Sequence, residues 1–375
     1  MQAMENLTTT EEPKTEPKTE SKSEIRQFFD DIQTEKYRPY KTGLSFFDSL
    51  LYGGLMRQTV TLILAAPGAG KTALCAQIAE AIAQNGRPVA YINLEMSKEQ
   101  MLARSISSKV TQAGIPMTAI DILQGYKWKD DPKKRDAIEK ALQEYETTVY
   151  PYMRYKGDGK QAELDGISKY LKSVGEKAKA NQQEAPAIIL DYLHLINDTR
   201  KDEAQTIKAT LQVLKDYAIQ YDTVCIAISA TNRDSNKKGY ITEASGRDSS
   251  GIEYSGDNII SLNFYECELP DRDPEKVNPT DVHNMSKLKK RSCRRMTLRV
   301  LKGRFIPPGR DKRVYFLASS SRFYAEDEFI PIPDDEKIPF ATALDWDAEI
   351  EDDGHDTPEK KKRGRKKKDA NDDII

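Results

Sequence analysis

Eight consecutive residues, Ala65-Ala66-Pro67-Gly68-Ala69-Gly70-Lys71-Thr72, carry the pattern of a loop that holds the phosphates of a nucleoside triphosphate, with alanine at its first position. The chemistry is local. Gly68 and Gly70 permit a tight turn that aims backbone N–H groups at phosphate oxygens. The start of a helix behind the loop adds a favourable dipole. Lys71 is placed to reach the β- and γ-phosphates, and Thr72 to bind Mg²⁺. A glycine-rich turn with a solvated lysine has the same composition. Here, however, an apolar strand pattern (59–65) precedes the loop, and Leu74, Ile78, Ala81 and Ile82 share one helical face after it. Strand, loop and helix in that order make ATP and Mg²⁺ the expected cofactors.

Two carboxylates stand at matching places. Asp191 ends the apolar run PAIILD (186–191), where an aspartate holding Mg²⁺ belongs. Without the phosphate loop it would read as an ordinary strand-ending turn residue. Glu95 follows the run PVAYINL (88–94). It fits a carboxylate that polarises an attacking water. It fits equally well an acid at the start of a helix, favoured by the macrodipole. Spacing alone leaves both readings open.

These residues need a scaffold, and the pattern around them supplies one. Helical periodicity recurs near 98–110, 133–146 (Ile138, Leu142, Tyr145), 162–180 (Leu164, Ile167, Leu171, Val174) and around Ile207, Leu211, Leu214 and Ala218. Further strand patterns lie at 223–229, 257–264, 297–302 and 313–318. The alternation predicts an α/β fold with a mainly parallel central sheet flanked by helices. The last two strands have no helix between them and are expected to form an antiparallel edge. Residues 268–295 read as a loop. The chain divides into a disordered segment (1–23), a linker helix (24–41), the α/β domain (42–331) and a disordered tail (332–375). In the linker helix Ile25, Phe28, Phe29 and Ile32 form one apolar stripe, suited to its own domain or to a neighbour.

Over 375 residues the net charge is -2, so the chain as a whole does not advertise nucleic-acid binding. The tail is the exception, acidic over 345–359 and then KKKRGRKKK at 360–368. Such a cluster binds phosphate backbones in a salt-sensitive way, or folds back on the acidic stretch. The four cysteines, Cys75, Cys225, Cys267 and Cys293, and the three histidines are scattered, which argues against a zinc site and for reduced thiols. No apolar run approaches the ~20 residues that span a bilayer. The N-terminus lacks the apolar stretch of a secretory signal. A cytoplasmic protein without membrane contact is expected.

The motifs TGLSFFDSLLYGGL (42–55), AAPGAGKT (65–72), INLEMSKEQMLARSIS (92–107), IILDYLHLI (188–196), ISATNRDS (228–235), GRDSSGIEYSGDNII (246–260) and LKGR (301–304) occur in one order. In that order the chain resembles the ATPase domain of DnaB-type replicative DNA helicases, from about Ile25 to Glu326. The most specific parts are LEM with Gln100 and Arg104, DYLxL, and RDSSGIE. The resemblance implies a RecA-like P-loop NTPase that hydrolyses ATP, held between subunits of a homo-hexamer moving on single-stranded DNA. A helicase loader or a primase would be its protein partners.

By that resemblance Lys71 and Thr72 serve phosphate and Mg²⁺, Glu95 activates water and Asp191 serves Mg²⁺. Lys302 and Arg304 fall in a K-x-R pair that reaches the γ-phosphate of the adjacent subunit. Two residues apart on a strand, they point the same way, and arginine suits bidentate phosphate contact; a solvated basic strand face has the same pattern. Arg247, Asp248 and Ser250 match a loop that grips the DNA backbone. Arg200 and Lys201 lie in a second DNA-facing loop.

The departures are three. The glutamine expected after Ser229 is Ala230, which bears on the coupling of hydrolysis to movement. His194 stands where glutamine is usual and reads as a polar neighbour of the site. The family's N-terminal domain has no counterpart before Ile25, which points to a phage, plasmid or integrative-element protein. A recombination-type ATPase that coats DNA is the alternative, as is a nucleotide- and DNA-binding module without turnover. Ala230 favours the last; intact Lys71, Asp191 and Glu95 oppose it.

Overall fold

The computed structural model describes residues 23–157, 161–231, 241, 245, 256–265, 289–328 and 330. Its centre is a nine-stranded sheet. The strands that run parallel are β1 (Thr59–Ala65), β2 (Val89–Asn93), β3 (Met153–Lys156), β5 (Ala187–Asp191), β7 (Val224–Ala230) and β8 (Asn258–Phe264). An antiparallel edge follows: β9 (Cys293–Gly303), β10 (Asp311–Leu317) and β11 (Arg322–Ala325). The order across the sheet is β11-β10-β9-β8-β1-β7-β5-β2-β3. Two short strands, β4 (Ala162–Glu163) and β6 (Ile196–Asn197), pair with each other apart from it.

Both faces are covered, as a parallel sheet requires. Along β1 the side chains alternate. Ile63 and Ala65 join the core of α2 (Ser45–Leu50), α3 (Lys71–Gln84), α4 (Lys98–Gln112) and α6 (Pro132–Thr148). Val60, Leu62 and Leu64 join the core of α7 (Leu164–Ala180) and α8 (Glu203–Gln220) on the other face. Several helices start at side-chain caps. Ser97 with Gln100 and Asp202 with Gln205 form capping boxes for α4 and α8. Asp131 caps α6, which opens with Pro132.

The sequence pattern is corrected at four points. Leu142 is 39% exposed; α6 buries Ile138, Ala141 and Tyr145 instead. Strands β3 and β11 have no counterpart in that pattern, because four-residue segments such as MRYK and RFYA carry too little apolar periodicity. Strand β9 begins at Cys293, inside the expected loop, because its ladder with β10 extends to the pair Cys293–Leu317. A short helix, α5 (Ala119–Leu123), also forms. Helix α1 (Glu24–Gln33) buries none of its residues, and its apolar stripe stays open. Among the described residues no helix is long and apolar enough to cross a membrane.

Candidate functional site

The phosphate loop connects β1 to α3 at the C-terminal end of the parallel strands, the end where α/β sheets bind ligands. Gly70 caps α3 with φ +98°, a left-handed conformation that glycine adopts without strain. It is also crowded: a Cβ there would lie 2.9 Å from Phe323 and 3.0 Å from Phe316. Lys71 Nζ donates to the carbonyls of Ala65 (2.9 Å) and Ala66 (3.2 Å), which sets the ammonium at the mouth of the loop. Burial lowers its pKa, while Asp191 and Glu95 act to keep it charged.

Asp191 is fully buried at the end of β5, two strands from β1. Tyr91 Oη donates to Asp191 Oδ2 at 3.0 Å. Burial pushes the carboxyl up to about 6, against the pull of the Thr72 and Tyr91 hydroxyls. Its Oδ1 is buried and has no hydrogen-bond donor among the described residues. A buried carboxylate oxygen beside a hydroxyl is a hard donor set, and Mg²⁺ fits it. Thr72 and Asp191 are the residues that would hold the ion.

Glu95 is exposed in the turn between β2 and α4. Asn93 pins that turn: its Nδ2 donates to the Met96 carbonyl (2.5 Å), and its Oδ1 accepts from Met96 N (3.1 Å). The cap of α4 is Ser97, so Glu95 stands outside the first helical turn. Its place is the cleft instead. A cavity of ≈ 420 Å³ is lined by Gly68, Lys71, Thr72, Glu95, Arg104 and Arg294, among others. Gln100, one of the motif residues, serves the capping box, and Arg104 one turn later reaches the cleft.

Arg294 is not marked by any pattern in the sequence. It sits at the start of β9 and donates from Nη1 to the Gly68 carbonyl at 2.9 Å. Its guanidinium lies 5.5 Å from the Phe316 ring, and burial lowers its pKa. Phe316 stacks on Phe323 with centroids 4.4 Å apart. Gln77 of α3 clamps the hairpin that carries them, through two 2.9 Å bonds to the Phe323 backbone. Only a β-ladder register could have revealed this wall of the cleft. Ala230 lines the cleft too, and its methyl group offers no hydrogen bond there. His194 is not part of that lining; it packs on Tyr192 at 5.8 Å.

Lys302 and Arg304 are not brought to this cleft. Strand β8 runs parallel to β1 and β9 runs antiparallel to β8, so β9 crosses the sheet from one end to the other. Its first residues stand beside the phosphate loop. Its last, Gly303, pairs with Asn258 at the opposite end. Ten residues of strand put roughly 30 Å between Arg294 and Arg304. Arg304 Nη1 pairs with Asp257 Oδ1 at 3.1 Å, and Lys302 Nζ donates to the Gly256 carbonyl at 3.1 Å.

Arg200 and Lys201 both pair with the buried Asp198 ahead of α8, and Arg200 also reaches Asp165 at 3.2 Å. Part of their charge is thereby shared. Arg247, Asp248 and Ser250 lie outside the described residues, as do the segment 1–22 and the basic cluster 360–368. A larger cavity, ≈ 980 Å³, opens at the N-terminal ends of the strands. Its Arg57 and Arg87 are paired with Glu184 and lie against the Tyr40 ring, which makes them structural props rather than phosphate ligands. Lys71, Thr72 and Glu95 line the smaller cleft.

The family model for the DnaB-like helicase C terminal domain matches residues 40–323. A probable replicative DNA helicase of Trieres chinensis is 24% identical over 273 residues, 70% of this chain and 56% of that protein. A DNA repair protein RadA of Campylobacter jejuni is 36% identical over 76 residues, 20% of this chain and 17% of that protein. The chain thus spans little more than half of the first relative and less of the second. Among solved structures, a DnaB-like replicative helicase, described with its interactions with primase, superposes with a TM-score of 0.62 at 19% identity, covering 80% of this chain and 65% of that one. That likeness carries the fold. The chain belongs to the DnaB-like helicase C-terminal domain family and has its RecA-like α/β fold.

Proposed function

We propose that this chain is an ATP-hydrolysing motor that moves on single-stranded DNA as a homo-hexamer and serves as a replicative DNA helicase. One observation supports the reading: the cleft of the glycine-rich loop lies at one end of the sheet, and Lys302 with Arg304 at the other. Neither can serve the other within one chain, and a closed ring joins each cleft to the next subunit's basic pair.

In that ring Lys71 and the loop N–H groups bind the phosphates, and Glu95 orients and deprotonates the attacking water. Thr72 and Asp191 would hold Mg²⁺, which neutralises phosphate charge when bound. Arg304 of the neighbour meets the charge that develops on the γ-phosphate. Arg294 and Arg104 bound the cleft from within the same chain. The open stripe of α1 packs on an adjacent subunit. Arg247, Asp248 and Ser250, with Arg200 and Lys201 as a second loop, contact the DNA backbone. A loader or a primase is the partner class this reading implies.

The local likeness to a DNA repair protein keeps one second reading, a recombination-type ATPase on DNA. ATP hydrolysis measured with and without single-stranded DNA, alongside unwinding of a forked duplex, separates them. The helicase reading expects DNA to stimulate hydrolysis and the fork to open. Stimulated hydrolysis without unwinding favours the second reading, and hydrolysis indifferent to DNA contradicts both.

A further inference from the structure

We infer that Asp257 is a positioning residue for the arginine that completes the neighbouring subunit's site, holding the Arg304 guanidinium in the pose it needs. The inference rests on the reading of Arg304 as acting in trans and adds a residue to it.

Asp257 stands immediately before β8, at the end of the sheet away from the phosphate loop, and its side chain is nearly buried, at 5% exposure. Strand β1, helix α8 and the residue after β9 converge on its carboxylate. Oδ2 accepts from Val60 N of β1 (2.8 Å) and from Lys215 Nζ of α8 (2.6 Å). Oδ1 pairs with Arg304 Nη1 at 3.1 Å. The Asp257 backbone N–H donates in turn to the Val60 carbonyl at 3.0 Å. A carboxylate tied to a strand N–H, with its own N–H in the same ladder, cannot swing. It is a fixed post.

Arg304 differs from its post. Its side chain is 57% exposed, and a long exposed arginine samples many rotamers unless something holds it. The Asp257 pair removes much of that freedom before any phosphate arrives, and preorganised charge is what transition-state stabilisation requires. The neighbouring bonds work the same way. Arg304 N donates to Asn258 Oδ1 at 3.4 Å, and Lys302 Nζ donates to the Gly256 carbonyl at 3.1 Å. Both residues of the basic pair are therefore set by Gly256, Asp257 and Asn258.

Charge decides whether such a post helps or hinders. A lone aspartate would neutralise the arginine it holds. Here Lys215 pairs with the same carboxylate, so the cluster of Asp257, Lys215 and Arg304 carries a net charge of +1. Lys215 is only 17% exposed and Arg304 is 57% exposed, so the surplus charge faces outward through the arginine.

The test is steady-state ATP hydrolysis of the full chain with single-stranded DNA, comparing Asp257→Asn, Asp257→Glu, Arg304→Ala and Asp257→Asn/Arg304→Ala. Misplacing a catalytic group by about an ångström costs up to ~100-fold in rate. Asp257→Asn is expected to lower kcat about 10- to 100-fold with KM for ATP changed less than about twofold. In the Arg304→Ala background the same change should add nothing, since the two residues act as one unit. Mixing Asp257→Asn with Lys71→Ala should restore turnover, because the first retains its phosphate loop and the second its held arginine. A merely structural Asp257 would damage its own subunit's cleft, and mixing would then fail to rescue. Asp257→Glu keeps the charge that Lys215 needs but moves the carboxylate by a methylene. It should melt like the parent and still lose kcat, which guards against a variant that does not fold. Normal kcat in both Asp257 variants, with Arg304→Ala impaired and rescued by mixing, overturns this inference alone. Full activity of Arg304→Ala overturns the trans reading and this inference with it.

Discussion

At the scale of single residues, the cleft binds its parts at a cost in stability. Asp191 is the clearest case. Burial pushes its carboxyl from 3.8 up to about 6, so the ligand-free fold holds the proton more tightly than the unfolded chain and is stabilised by protonation. That contribution is complete below about pH 4 and is lost as pH rises through 6, and a rise of this size corresponds to roughly 3 kcal/mol. Asp191→Asn mimics the protonated acid. Without nucleotide it should therefore melt at or above the parent at pH 7.5, by up to ~3 kcal/mol, with the gap closing near pH 4. Mg²⁺ needs the ionised form, so Mg²⁺-dependent nucleotide binding should strengthen as pH rises through about 6 in the parent and not in the variant. An Asp191→Asn protein clearly less stable than the parent at pH 7.5 would contradict this account.

Much of that cleft is legible in the sequence. Lys71, Thr72 and Asp191 are marked by type and spacing, whereas Glu95 is left open by spacing and is set at the cleft only by the turn ahead of the Ser97 cap. Arg294 and Phe316 give no such signal. They reach the cleft through the antiparallel ladder of β9 and β10, and which residue of a strand ends beside a loop depends on register, which spacing does not reveal.

At the scale of elements, long periodic segments are legible and short ones are not. Helices α3 and α8 bury the faces their apolar spacing predicts, and α7 buries Leu164, Ile167 and Leu171 of its face while Val174 is half-buried. Strands β3 and β11, four residues each, escape because two alternations do not make a pattern. Helix α1 is the element with most at stake. Ile25, Phe28, Phe29 and Ile32 are 70%, 50%, 57% and 47% exposed, an apolar stripe that the described residues of one chain leave uncovered. In the proposed ring it packs against a neighbour. Phe28→Asp should therefore lower the mass measured by light scattering at a fixed protein concentration and reduce turnover in parallel. Unchanged mass with this substitution would remove α1 from the interface. Strand β9 matters differently. It carries a residue to its own cleft at one end and the basic pair at the other.

At the scale of the whole molecule, that strand makes the account depend on assembly. The roughly 30 Å between Arg294 and Arg304 is too far for one arginine to serve both ends of its own chain. An arginine supplied in trans is worth about 10³–10⁵ in rate in other phosphoryl transfers, so an isolated chain should bind ATP and hydrolyse it slowly. The direct measurement is DNA-stimulated ATP hydrolysis by Lys71→Ala, by Arg304→Ala and by the two co-assembled in equal amounts. Each variant alone should be nearly inactive, Arg304→Ala while still binding ATP. The mixture should recover a clear fraction of wild-type turnover, because some interfaces then join an intact phosphate loop to an intact arginine. A mixture no more active than its components, or full activity from a strictly monomeric parent, would contradict the claim that the site is shared between subunits.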